Sequence, residues 1–163
     1  MSKKIASGAQ GIVLDVKTGT GAIMHTLEEC MELARTMVDI GTRAGRSVQA
    51  LITGMQEPLG SHVGNALEVK EAIDTLAGRA EGPLTEVSLA LGAQMLQLGG
   101  LAQDDDAAYH LLRDALDSGR GLTKLAQMIS AQGGDARVCE DTGLLPRAAV
   151  IEPVLSPADG WLS

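Results

Sequence analysis

A strand–helix–strand pattern near the N-terminus most limits what this chain can fold into. Gly11–Lys17 (GIVLDVK) and Ser47–Thr53 (SVQALIT) are short apolar runs rich in β-branched residues, which favours buried strands. Between them, apolar residues recur at helical spacing over Leu27–Arg43, and Thr26 with Glu29 matches a capping box. Two strands joined by a helix pair in parallel with a right-handed crossover. The pattern therefore predicts an α/β fold built on a βαβ unit.

A glycine-rich turn, Thr18–Ala22 (TGTGA), directly follows the first predicted strand. Open α/β sheets bind their ligands at the carboxyl ends of strands. The turn matches neither GxxxxGK[ST] nor GxGxxG, so ligand contact and a plain flexible turn are both open. Asp15 and Lys17 alternate with apolar residues just before it, and they either face a cleft or have a salt-bridged or solvent-facing role.

The stretch Glu57–Gly78 (EPLGSHVGNALEVKEAIDTLAG) combines a constrained loop with a helix. One proline and spaced glycines constrain the loop, and Asn65 is placed to cap the helix that follows. Gly78 is suited to end it. The apolar stripe expected to face the core is Leu67, Val69, Ile73 and Leu76. A loop this constrained, with acidic residues on the following helix, is either a well-capped turn or a holder of a ligand or ion.

Three more helices are predicted, over Leu84–Leu98, Asp105–Ser118 and Leu122–Ala131. Asp104 is the expected cap of the second. The apolar stripe of the first is expected at Val87, Leu91, Met95 and Leu98.

Three segments are expected along the chain. Residues 1–10 are predicted to be the end of a truncated N-terminal helical element, and residues 11–136 to be the α/β portion. Residues 137–163 are predicted to be a linker and the start of a truncated β-rich C-terminal domain. Within that last segment Arg147–Leu155 is predicted to be an extended strand, and Val154–Ser163 the opening of the new domain.

Composition excludes several classes of protein. The formal net charge of −8 argues against a nucleic-acid surface, which needs clustered Lys and Arg. Phe is absent and the aromatics are Tyr109 and Trp161, so base-stacking platforms are excluded too. There is no run of about eighteen apolar residues to predict a membrane span. Cys30 and Cys139 lack metal-ligand spacing and are predicted to be free thiols, which fits a reducing cytoplasm.

Several stretches, in order along the chain, resemble the pyrimidine-nucleoside phosphorylase and thymidine phosphorylase family. They are SKKIASG (Ser2–Gly8), VLDVKTGTGA (Val13–Ala22), MVDIGTRAGR (Met37–Arg46), PLGxxxGNALEVKEAIDTLxG (within Glu57–Gly78) and AQGGD (Ala131–Asp135). The resemblance covers nearly the whole chain. It implies a helix-rich α/β fold with a partial parallel or mixed sheet, corresponding to the central part of the α/β domain of a larger three-domain enzyme. A related phosphoribosyl transferase such as the anthranilate enzyme shares the architecture, but the PLGxxxGNALEVKEA stretch favours the phosphorylases.

The resemblance also implies roles for particular residues. Lys3 matches the family lysine that hydrogen-bonds the pyrimidine ring, where a cation stabilises the anionic leaving base. Leu59, His62 and Glu71 match the positions that hold a structural monovalent cation, potassium in the bacterial enzymes. The first two would act through backbone carbonyls and Glu71 through its carboxylate, since hard oxygen ligands suit such an ion. No catalytic residue is assigned.

The resembled enzymes are pentosyltransferases that use inorganic phosphate to displace the base of a pyrimidine nucleoside. Their KHSTGG-like phosphate segment, which carries the catalytic histidine, has no counterpart in these 163 residues. We therefore expect the central fragment of such an enzyme, inactive alone. The alternative is a non-catalytic α/β module with only a packing or association role. Family members are homodimers through contacts that come largely from an N-terminal helical domain, so the oligomeric state of this chain is open.

Overall fold

The computed structural model describes residues 1–160 and contains six α-helices, two strands and two short 3₁₀ helices in that range. In chain order these are α1 (Ser2–Ala6), β1 (Gly11–Thr18), α2 (Leu27–Arg43), β2 (Ser47–Gly54), α3 (Asn65–Leu76), α4 (Pro83–Leu98), α5 (Asp105–Asp117), α6 (Arg120–Ala131) and the 3₁₀ helices Ala136–Cys139 and Thr142–Leu144. The predicted α/β, helix-rich fold class is confirmed.

The predicted βαβ unit is present, with each strand one residue longer than expected at its carboxyl end. Strands β1 and β2 pair in parallel from Gly11–Ser47 to Thr18–Gly54. One face of this sheet packs against α2, and the buried cluster between them contains Ile12, Leu14, Val16, Cys30 and Ala34. The three strand residues alternate along β1, and the two helical residues, Cys30 and Ala34, lie one turn apart on the same face of α2. The hydrophobic pattern alone therefore sets which sheet face is covered.

Helix α2 begins with the predicted capping box. The Thr26 hydroxyl accepts from the Glu29 amide at 3.2 Å, and the Thr26 amide donates to the Glu29 carboxylate at 3.2 Å. The helix ends before Gly45, which has a φ of +74°. This left-handed conformation is one that glycine adopts without steric cost. Both ends of α2 are thus fixed by local sequence.

The prediction that Asn65 caps α3 is wrong. The N-cap is Gly64, whose φ of +126° strongly favours glycine, and Asn65 is already the first helical residue. The Glu68 carboxylate accepts the Gly64 amide at 3.0 Å from within the first turn. Glu68 therefore serves the N-terminus of α3 in place of an asparagine cap, and its negative charge suits the positive end of the helix.

The predicted apolar stripes hold only in part. On α3, Ile73 is fully buried, but Leu67 is 50% and Val69 39% exposed. On α4 the buried residues are Thr85, Leu89 and Ala93, one position per turn, while Met95 is 58% exposed. Helix α4 is apolar around much of its circumference because it contacts both α5 and β1. Its periodicity therefore could not show which face lies innermost.

The extended strand predicted over Arg147–Leu155 is wrong. Residues 146–160 have no regular secondary structure, and Val154 is 98% exposed. A strand needs a hydrogen-bonded neighbour, and within residues 1–160 this segment pairs with none. The predicted opening of a C-terminal domain ends at Trp161–Ser163, outside the described residues.

Candidate functional site

The carboxylate of Glu71 on α3 binds the backbone of the loop that precedes the helix. We call residues 57–64 the Glu71 loop. The Ser61 amide donates to Oε1 of Glu71 at 2.7 Å, and the His62 amide donates to Oε2 at 3.2 Å. The Glu71 side chain is only 12% exposed. One largely buried carboxylate therefore accepts hydrogen bonds from two consecutive amides of the loop, and these bonds fix how the loop approaches α3.

Gly60 allows this close approach. A Cβ atom added at position 60 would overlap the Glu71 carboxylate. Any larger residue would have to displace that carboxylate and so disturb its bonds to Ser61 and His62. The glycine is needed here for space, not for an unusual backbone angle.

Hydrogen bonding favours the ionised form of Glu71. The Ser61 amide is the main cause of a lowered pKa of this carboxyl, desolvation acts against it, and the His62 amide and ring lower it further. The His62 Nδ1 atom lies 3.6 Å from Oε1 of Glu71, too far for a hydrogen bond. A carboxylate held in its charged form beside a turn of backbone is a suitable ligand for a cation.

The backbone carbonyls of Leu59 and His62 accept no hydrogen bond from any residue in 1–160. These carbonyls and the Glu71 carboxylate are hard oxygen donors, the kind preferred by alkali and alkaline-earth cations. Residues 1–160 contain no group of three or more His, Cys, Asp and Glu side chains placed to hold a metal ion. A cation here would therefore depend mainly on carbonyl oxygens.

Lys3 lies apart from the Glu71 loop. It is exposed on α1, two residues after Met1, whose side chain approaches Gly41 of α2 near Val48 at the start of β2. The Glu71 loop instead follows the carboxyl end of β2. The structure thus places Glu71 against Gly60 and His62, with Leu59 next to Gly60 in the chain, and places Lys3 elsewhere.

A polar cluster joins the carboxyl-terminal halves of β1 and β2 on the sheet face that points away from α2. The Lys17 ammonium contacts Oδ2 of Asp15 at 2.7 Å and donates to the Thr53 hydroxyl at 2.8 Å, and that hydroxyl donates to Oδ1 of Asp15 at 2.5 Å. Of the two interpretations of Asp15 and Lys17, the structure shows the salt bridge. Thr53 was missed, although the parallel register that pairs it with Lys17 could have indicated it.

Backbone hydrogen bonds join the glycine-rich turn Thr18–Ala22 to Met55 and to itself. Gly21 donates to the Met55 carbonyl at 2.8 Å, Ala22 donates to Gly19 at 3.0 Å, and Met55 donates back to Thr18 at 2.7 Å. A Cβ at Gly21 would lie 2.7 Å from the Met55 carbonyl. These bonds join the two strand ends, and of the amides from Gly19 to Ala22 that of Thr20 alone has no partner within residues 1–160.

A cleft beside this region has a volume of about 830 Å³. It lies between the start of α3 and residues 142–152, and both Lys70 and Arg147 line it. Lys3, Leu59, His62 and Glu71 do not. The cleft therefore adds no support to the roles predicted for those residues.

Comparison with known families assigns this arrangement to a class. Residues 1–122 match the family model described as "Glycosyl transferase family, a/b domain". The match covers the βαβ unit, the Glu71 loop and helices α3 to α5. The chain therefore belongs to this glycosyl transferase family.

Known proteins narrow the resemblance further. The chain is 48% identical over 163 residues to the pyrimidine-nucleoside phosphorylase of Geobacillus stearothermophilus, which covers all of this chain and 38% of that protein. It is 51% identical over 148 residues to that of Staphylococcus haemolyticus and 50% over 149 residues to that of Bacillus subtilis, in each case over 91% of this chain and 34% of the relative. The predicted resemblance to the pyrimidine-nucleoside phosphorylases is confirmed. The chain spans little more than a third of the length of these relatives.

No helix within residues 1–160 combines the length and the apolar character that crossing a membrane requires.

Proposed function

We propose that this chain supplies the central part of a pyrimidine-nucleoside phosphorylase, which acts on a pyrimidine nucleoside and inorganic phosphate. Identity of about half over the whole chain to enzymes of that name supports the activity class. The observation that carries the proposal is the Glu71 loop, because its backbone is organised around one ionised carboxylate.

The Glu71 loop is proposed to hold a monovalent cation, potassium or a similar ion. The carbonyl oxygens of Leu59 and His62 and the carboxylate of Glu71 would be its ligands. An ion of this kind contributes positive charge and orders the loop without changing its own oxidation state. Ser61 and His62 already orient the carboxylate through their amides, so the loop needs little rearrangement to bind.

Lys3 is proposed to contact the pyrimidine base. Negative charge develops on the base as its bond to the sugar breaks, and a cation aimed at that base stabilises the transition state. Lys3 is exposed on α1 and free to reach a ligand beside it. Because Lys3 lies apart from the Glu71 loop, the base contact and the cation contact are separate functions of this chain.

Phosphorolysis also needs a phosphate site, and a polypeptide of these 163 residues alone is proposed to lack one. No KHSTGG-like stretch is present in the sequence, and the Gly19, Gly21 and Ala22 amides of the glycine-rich turn already donate to backbone carbonyls. The enzyme as a whole is proposed to act in the cytoplasm, which its free cysteines fit, and as a homodimer, which its resemblance implies.

The first test is a phosphorolysis assay of the 163-residue chain with uridine or thymidine, phosphate and potassium. We expect no release of free base above background. Release that Lys3→Ala abolishes and Lys4→Ala leaves intact would show that the chain contains a phosphate site, which would contradict the proposed inactivity.

The second test isolates the cation. The melting temperature of the chain is measured in potassium chloride and in tetramethylammonium chloride at equal ionic strength. We expect potassium to raise it for the parent chain and for Glu86→Gln, a matched charge change on α4. In Glu71→Gln we expect no potassium effect, since the ligand carboxylate is replaced by an amide. An equal response in all three would contradict the cation site.

A second candidate function is a non-catalytic module with a packing role. The exposed apolar side chains of Ile23, Val63, Val154 and Leu155 favour it, with exposures from 73% to 98%. Such a module would bind no potassium, so the melting-temperature test with potassium separates it from the first candidate.

A further inference from the structure

A second cleft, of about 320 Å³, lies among helices α3, α4, α5 and α6. Its walls carry the leucines Leu76, Leu84, Leu89, Leu112 and Leu116. It is separate from Lys3, the Glu71 loop and the strand-end cluster. A cleft of this size between helices is large enough for a small organic molecule.

None of the residues that line this cleft is charged, although 21% of the chain is Asp, Glu, Lys or Arg. The space exists because small residues, Ala72, Ala115 and Gly121, stand where larger side chains would meet. The lining offers an ion no charged partner, and burying a charge without one is unfavourable. The lining therefore selects for an uncharged and mainly apolar occupant.

One polar group at the cleft has no partner within residues 1–160. Thr75 lines the cleft, and its Oγ1 is buried without a hydrogen bond. Thr85 differs, because its hydroxyl donates to the Ala80 carbonyl at 3.3 Å. A helical threonine has two accessible χ1 rotamers, so rotation can offer the Thr75 hydroxyl to an occupant. A buried hydroxyl without a partner is costly, and a ligand that satisfies it gains accordingly.

We propose that this cleft binds a small, uncharged, mainly apolar molecule that carries one hydroxyl group, of which phenol is the simplest probe. The ring fills the leucine-lined space and the hydroxyl bonds to Thr75. Neither the potassium site nor the phosphorolysis proposed above is needed for this binding.

The test is a titration of the 163-residue chain with phenol, followed by NMR of its methyl groups. We expect saturable shifts at the five leucines of the cleft, and none with benzoate, which has the same ring but a negative charge. Unsaturable shifts spread over exposed residues such as Ile23 and Val63, or equal shifts with benzoate, would overturn the proposal.

Two variants locate the site. Ala115→Leu fills the cleft, and we expect it to lower phenol affinity by about ten-fold or more. Ala131→Leu makes the same change at the exposed end of α6 and is expected to leave affinity unchanged. If Ala115→Leu does not fold by circular dichroism, Ala72→Leu replaces it. Unchanged phenol affinity in a folded cleft-filling variant would overturn the site.

Thr75→Val tests the hydroxyl, since valine keeps the shape and removes the oxygen. We expect phenol affinity to fall about three-fold or more while toluene affinity is unchanged, in line with the loss of one hydrogen bond. An equal effect on both ligands would overturn the role of Thr75. The cleft could instead be filled by a second copy of the chain, which sedimentation at several protein concentrations tests. Self-association that Ala115→Leu abolishes would show this and would overturn the proposal.

Discussion

The βαβ unit, Gly11–Gly54, and the helical region, Asn65–Ala131, bury their apolar side chains differently. In the first, Ile12, Leu14 and Val16 are only 4–6% exposed and pack as one cluster under α2. In the second, α6 has no fully buried residue, and Leu111 is 44% exposed. One helix can cover a strand face along its whole length, whereas the four helices, with Tyr109 as their single aromatic side chain, leave gaps between them. The βαβ unit thus gathers its buried apolar side chains in one cluster, whereas the helical region buries separate positions such as Ile73, Leu89 and Ala108.

Truncating one leucine in each region tests this comparison with the largest expected effect. Leu14→Ala should lower the free energy of unfolding by about 3 kcal/mol, because it removes buried methyl groups and leaves a cavity. Leu111→Ala should cost less than about 1 kcal/mol, since that side chain is already half exposed. Urea unfolding measures both. Similar losses for the two variants would contradict the comparison.

Helix starts in the two regions provide a smaller effect. Thr26→Ala removes both hydrogen bonds of the Thr26 hydroxyl, the one it accepts from the Glu29 amide and the one it donates to the Glu29 carboxylate, and should cost about 1 kcal/mol. Asn65→Ala should be near neutral, because Asn65 makes no capping bond and alanine is a good helix former. The two variants are compared by thermal unfolding at one protein concentration. A larger loss at Asn65 than at Thr26 would mean that the asparagine does cap α3.

The loop between the two regions provides the smallest effect, a dependence on pH. The pKa of Glu71 lies below its ordinary value of 4.5, so its bonds to Ser61 and His62 contribute stability above that value. The contribution is lost as the pH falls through the lowered pKa of the folded state, where the carboxylate takes up a proton. The check is the amide chemical shift of Ser61 and His62 between pH 6 and pH 2 (about 2 units on either side of an ordinary carboxyl pKa).

Glu71→Gln is the control for that titration, since an amide does not ionise in this range. Its Ser61 and His62 signals should stay constant while those of the parent chain move. A midpoint at or above the ordinary carboxyl pKa in the parent would show that the carboxylate is not held by the loop amides.

Sequence reasoning succeeded where the signals were local. Gly11–Lys17 and Ser47–Thr53 were found as strands because β-branched runs and the helix between them leave one parallel pairing. Thr26 and Glu29 were found because a capping box lies within one turn. The stripe of α4 failed because that helix is apolar on several sides. Arg147–Leu155 failed because a β-branched run cannot supply its own pairing partner.

The site was predictable only in part for the same reason. The resemblance indicated Leu59, His62 and Glu71, and the structure shows Glu71 bound to this loop. The sequence alone could not show that Ser61 supplies one of the amides, because the contact spans ten residues and depends on the loop path. The roles of Lys3 and of the cation remain predictions, for the tests above to decide.

The hydrogen bonds between the Thr18–Ala22 turn and Met55 have a consequence for how these two loops can change. The Met55 carbonyl accepts from Gly21 and the Met55 amide donates to Thr18, so both backbone groups of Met55 are bound to the turn. Leu59 follows four residues later in the chain. A residue inserted in the Thr18–Ala22 turn would break the register of these hydrogen bonds and shift Met55, and with it the start of the Glu71 loop. A change in the length of the Thr18–Ala22 turn therefore has to be matched by a change in the Glu71 loop. Replacing either loop with that of a relative requires replacing both.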